Sequence, residues 1–86
     1  MGRASMKKYD VYLIESETGR FSMTFSGIFE VSKPEDLFEK YIKTFSSESK
    51  RSERTLENGE IENSFSIYDS FWCRTVAVFE PRLEKI

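Results

Sequence analysis

Apolar positions change their period along this chain, and each change marks an element. From Lys8 to Ser16 (KYDVYLIES) tyrosines and branched aliphatics dominate, and from Arg20 to Val31 large apolar residues take alternate positions, so both segments read as strands. Glu17-Thr18-Gly19 joins them as a hairpin. A two-residue Thr18-Gly19 turn would require positive φ at a β-branched threonine, so the expected connection is a three-residue loop with Gly19 in the left-handed region. That register sets Leu13 opposite Met23 and Val11 opposite Phe25. One face then gathers Tyr9, Val11, Leu13, Phe21, Met23, Phe25, Phe29 and Val31. The other carries Ser22, Thr24 and Ser26, with Tyr12, Ile14 and Ile28 as its apolar members.

After Val31 the period lengthens to that of a helix. Leu37, Phe38, Tyr41, Ile42 and Phe45 fall on one stripe, and Glu39, Lys40, Lys43 and Thr44 lie on the other side. Ser32 is placed to cap the first free amides, with Glu35 reaching back and Pro34 in the first turn, where its missing donor does little harm. Glu35 and Asp36 suit the positive end of the helix dipole. The stripe is expected to pack on the hairpin's apolar face.

From Ser46 to Ser64 the chain is polar, and Leu56 is the lone apolar residue between Phe45 and Ile61. Ser46 to Ser52 is expected to be a mobile linker. Asn58-Gly59 is a two-residue hairpin signal. It implies a short strand over Arg54–Glu57, with Leu56 opposite Ile61 and Arg54 opposite Asn63, and a following strand over Glu60–Tyr68. Asp69-Ser70 then turns the chain into a last strand, Phe71 to Glu80, which Pro81 ends. The stretch Glu60–Glu80 holds Trp72, Cys73 and three of the eight phenylalanines, with apolar residues at both odd and even positions of its second half. A two-residue turn at Asp69-Ser70 places Trp72, Val76 and Val78 beside Phe65 and Ile67. A loop of odd length places Phe71, Cys73, Ala77 and Phe79 there instead. Either way one of Phe71 and Trp72 is buried and the other faces outward.

The expected fold is α+β: an antiparallel sheet of four or five strands, ββαββ or ββαβββ, with one helix packed on one face. Strand order is not legible. With 86 residues there is material for one core. The domain is expected over residues 6–81, after a vector-like segment at 1–5 and before a tail at 82–86. No signal-like or membrane-spanning apolar run is present, and a lone cysteine forms no internal disulfide, so a soluble cytoplasmic protein is expected.

Candidate chemistry is sparse. The chain contains no histidine, which removes the usual general base, most nucleophile-activating triads and the commonest transition-metal ligand. Gly19, Gly27 and Gly59 match no phosphate-binding loop. Cys73, set among apolar residues, reads as an inert buried thiol. Glu57, Glu60 and Glu62 match no calcium-loop spacing and read as solvated charges. No enzyme activity, cofactor or metal is therefore expected.

Two features remain that bind something. The sheet face opposite the helix carries Tyr12, Ile14, Ile28 and Tyr68 with either Phe71 or Trp72, residues that a single helix cannot cover, and so it is the expected surface for a protein partner or a second copy of the chain. Lys50, Arg51 and Arg54 are candidate phosphate contacts beside such aromatics, which would make a single-stranded nucleic acid the alternative ligand. Net charge of −2 favours the first.

Overall fold

The computed structural model describes residues 6–46, 53–59 and 63–82. Strand β1 spans Lys7–Glu17 and β2 spans Arg20–Val31. Helix α1 follows at Glu35–Phe45, then β3 at Arg54–Asn58, β4 at Phe65–Asp69 and β5 at Arg74–Pro81. The five strands form one antiparallel sheet in the order β2-β1-β5-β4-β3. The fold is thus α+β with ββαβββ connectivity, as expected.

The first hairpin departs from the expected register. Its turn holds two residues, with Glu17 opposite Arg20, and of the two only Gly19 has positive φ (+80°). A turn that needs the left-handed region at its second residue alone leaves Thr18 unstrained. Ile14 therefore faces Met23 and Leu13 faces Thr24. Further along, Tyr12 pairs with Phe25 while Val11 pairs with Gly27, so Ser26 is an extra residue in β2. Gly27, at φ +154°, accommodates this bulge. A one-residue bulge inverts the parity of everything beyond it. Phe29 and Val31 stay beneath the helix with Tyr9 and Val11, but Phe21, Met23 and Phe25 join Tyr12 and Ile14 on the opposite face and are exposed. Their expected place in the core is overturned.

A second bulge sits at Val76, between the pairs Ile67–Ala77 and Tyr68–Thr75. Ile67, Ala77 and Phe79 are fully buried, and Leu56 and Phe65 pack against them. The Asn58-Gly59 register is also corrected. Leu56 pairs with Ile67 and Arg54 with Asp69, the ladder ends at Asn58–Phe65, and Asn63 is not in it. Gly59 serves a close approach rather than a tight turn. Its amide donates to the Ser64 carbonyl, and a β-carbon there would lie 2.6 Å from that oxygen. β4 begins at Phe65, not at Glu60. Ile61, Glu60, Glu62 and the linker with Lys50 and Arg51 lie outside the described residues.

Helix α1 buries Leu37 and Tyr41 against the sheet, with Phe38, Ile42 and Phe45 packed at the margin, as its stripe predicts. Phe45 stacks on Phe29, which in turn stacks on Phe79. Lys40 extends its ammonium to the Glu30 carbonyl at 2.8 Å, tying the helix to β2. Ser32 is not the cap. The Asp36 and Leu37 amides donate to the Lys33 and Pro34 carbonyls, and the Ser32 hydroxyl lies 3.5 Å from the Asp36 carboxylate. With Lys33 and Pro34 already turning tightly, the amides are satisfied without a side-chain oxygen.

The face assignment is open to a stability test by urea unfolding. Leu37→Ala should cost about 2–5 kcal/mol, as for a buried leucine. Met23→Ser should change stability by no more than about 0.5 kcal/mol, because a substitution on a solvated face removes no core packing.

Candidate functional site

Two regions carry groups that the fold itself does not consume. The first is the sheet face away from α1. Phe21, Met23, Phe25 and Ile28 are exposed on it, Phe21 to 73%. They line β2, an edge strand. Tyr12 packs edge-to-face on Phe25 at 5.7 Å, and Val78 continues the row into β5. Tyr12 and Ile14, named from the sequence, are half-buried members of this surface. Tyr68 is on the same side, opposite Thr75, but further across the sheet. By register the carboxylates Asp10, Glu30, Glu57 and Glu80 also lie on this side, and Asp10 pairs with Arg82 at 3.2 Å.

The second region lies on the helix side, where the sheet splits. The β1–β5 ladder ends at Leu13–Ala77, yet β1 runs on to Glu17 with β2 and β5 runs back to Arg74 with β4. The two halves diverge and leave a cleft of about 320 Å³. Leu13, Ile14 and Glu15 line one side, Arg54, Asp69, Arg74 and Val76 the other. Tyr41, Phe45 and Ser46 at the end of α1 and Trp72 of the β4–β5 turn complete it.

Asp69 organises this end of the molecule. Its side chain is 1% exposed and meets the Arg54 guanidinium, 10% exposed, at 3.2 Å. Its other oxygen accepts from the Phe71 amide at 2.9 Å and the Trp72 amide at 3.4 Å. An aspartate bonding the backbone two residues on closes the turn locally. Ser70 anchors it from the other side, its amide and hydroxyl both donating to the Glu53 carbonyl. Cys73 ends the turn at φ +53°.

This turn spans residues 70–73, so β5 starts at Arg74 and not at Phe71. Neither Phe71 nor Trp72 is buried. Each is 62% exposed and they meet edge-to-face at 5.2 Å. Trp72 lines the cleft with Leu13, Ile14, Tyr41 and Phe45. Cys73, expected to be buried, is exposed, because the left-handed backbone takes it out of the strand. Arg54 faces the helix and lies beside the Tyr41 ring, away from the open-face aromatics. Burial raises the Tyr41 phenol above its ordinary pKa, with Arg54 opposing, so the hydroxyl remains protonated at neutral pH. The Tyr68 phenol is also raised, by desolvation first and then by the nearby Cys73 thiol.

Phe21, Met23 and Phe25 escaped the sequence reading because their parity matched the core residues Phe29 and Val31. Gly27 was the available sign of a bulge. In the sequence Asp69 stands out only as part of the Asp69-Ser70 turn, and Arg74 carries no signal of its own. No family model, curated protein or solved structure matches this chain.

Asp69→Ala should destabilise the domain by about 3–5 kcal/mol, since it strands the buried Arg54 charge and frees the turn amides. Asp69→Asn keeps an acceptor for those amides and should cost less. Urea midpoints of the two variants against the parent check the order.

Proposed function

We propose that this chain is a small non-enzymatic protein-binding module that acts by covering a site on a larger protein, in the manner of inhibitor, immunity or phage-encoded host-takeover proteins. One observation carries the reading. Large apolar side chains, Phe21, Met23, Phe25 and Ile28, stand exposed together on one face beside Tyr12 and Ile14. A monomer seldom leaves so continuous an apolar surface in water, and aromatic residues concentrate binding energy at interfaces.

The surrounding charge indicates the kind of partner. By register Asp10, Glu30 and Glu80 lie on this face near the apolar centre and Glu57 on its far edge strand, against Lys8 and Arg82, so the face carries a small acidic excess. A protein surface with an apolar centre and a basic rim complements this arrangement. A second copy would set like charges against each other. Nucleic acid is disfavoured on the same ground, and Arg54 is held in its ion pair on the helix side of the sheet.

A Phe21→Ser/Phe25→Ser double variant should keep its far-UV circular dichroism and urea midpoint. It should bind a partner captured by the parent protein from the source cells more weakly by about 2 kcal/mol or more. Unchanged affinity would remove this face as the docking surface. Sedimentation should find the parent protein monomeric; a dimer abolished by the same variant would replace the heterologous partner with a second copy. Retention of single-stranded oligonucleotides at low salt would favour the nucleic-acid reading instead.

A further inference from the structure

The cleft between the diverging halves of the sheet has a chemistry distinct from the open face. Two arginines line it. Arg54 is nine-tenths buried, yet only one arm of its guanidinium meets Asp69; its Nε and Nη1 groups have no acceptor among the described residues. The Nη1 of Arg74 is likewise buried and without an acceptor. Buried guanidinium N–H groups are costly to leave unpaired, and their fork geometry matches an oxyanion.

Charge decides which oxyanion. Arg54 and Arg74 bring two positive charges to the lining and Asp69 and Glu15 two negative ones; Asp69 engages Arg54, and Arg74 has no carboxylate at ion-pair distance among the described residues. The C-terminal end of α1, at Ser46, adds partial negative charge, and the Glu15 carboxylate stands at the exposed margin. With Glu15 counted the lining is neutral, so a monoanion on Arg74 meets the least repulsion and a phosphate dianion is repelled more strongly. The remaining walls, Leu13, Val76, Phe45 and Trp72, are apolar. We infer that this cleft is a binding site for a carboxylate attached to an apolar or aromatic group. The Arg54 and Arg74 forks receive the carboxylate, and Trp72 covers the apolar part. Such a group arrives either as a free carboxylic acid or as the terminus of a polypeptide.

Trp72 is the chain's single tryptophan and reports on the cleft directly. Its emission is followed while the protein is titrated with phenylacetate, with neutral phenylacetamide, and with inorganic phosphate. Phenylacetate should give a saturable change, with the amide and phosphate weaker by about tenfold or more, the loss of one charge-assisted contact. Arg74→Gln should weaken phenylacetate by a similar factor, and Arg74→Lys, which keeps the charge but not the fork, by an intermediate one. Unchanged circular dichroism confirms that the variants fold. A short peptide ending in phenylalanine, compared with its C-terminal amide, separates the sources: a free-acid peptide binding more tightly than phenylacetate identifies a polypeptide terminus, and the reverse identifies a small acid. Equal binding of phenylacetamide, tighter binding of phosphate, indifference to Arg74→Lys and Arg74→Gln, or no saturable change with phenylacetate would each overturn the assignment.

Discussion

One helix has to serve a five-stranded sheet. An 11-residue helix is about 16 Å long and about 10 Å across, whereas five strands at about 4.8 Å spacing span about 20 Å or more. α1 can therefore close only part of one face, and among the described residues no second layer covers the other. The rest of the molecule follows from how side chains are distributed between a covered and an uncovered side. Core residues from every strand, among them Tyr9, Phe29, Leu56, Ile67 and Phe79, converge beneath Leu37 and Tyr41. What does not converge there meets solvent.

The two bulges do the sorting. At Ser26 the extra residue moves Phe21, Met23 and Phe25 out of the core's parity, so the distal half of the first hairpin presents apolar side chains outward. At Val76 the extra residue keeps Ala77 and Phe79 in the core while Arg74 remains level with Asp69. Bulges also sharpen twist and bend. β1 and β5 part beyond Leu13–Ala77, and the arginines and Trp72 line the resulting opening. The apolar face and the arginine-lined cleft both arise from breaks in regular pairing.

Asp69 links packing to surface. Among the described residues it is the carboxylate most completely removed from water, and it spends one oxygen on Arg54 and the other on two turn amides. A buried ion pair is a costly way to hold a fold together, because desolvation offsets much of the attraction. Here it defines the geometry of a turn and fixes the position of Arg54. The turn in turn sets Phe71 and Trp72 outward, in edge-to-face contact with each other rather than as strand residues.

The order and type of the elements were legible in the sequence. The helix declared itself through the stripe from Leu37 to Phe45, the first hairpin through its two apolar runs around Gly19, and β3 through Leu56 in a polar stretch. These are local signals, written in period and turn chemistry. Tyr12, Ile14 and Ile28 were placed on the uncovered face for the same reason, since alternation along β1 and near the start of the core is undisturbed. Side-chain destiny beyond a bulge was not legible. Phe21, Met23 and Phe25 carry the same alternation as Phe29, and one unpaired residue, visible only once β1 and β2 are aligned, reverses their direction. The Arg54–Asp69 pair joins residues on neighbouring strands whose register the Asn58-Gly59 signal misstated. Local sequence thus determined which segments are strands and helix. Tertiary pairing decided which aromatics face water and that the two arginines line one cleft, because both depend on register, and register is a property of strands in contact.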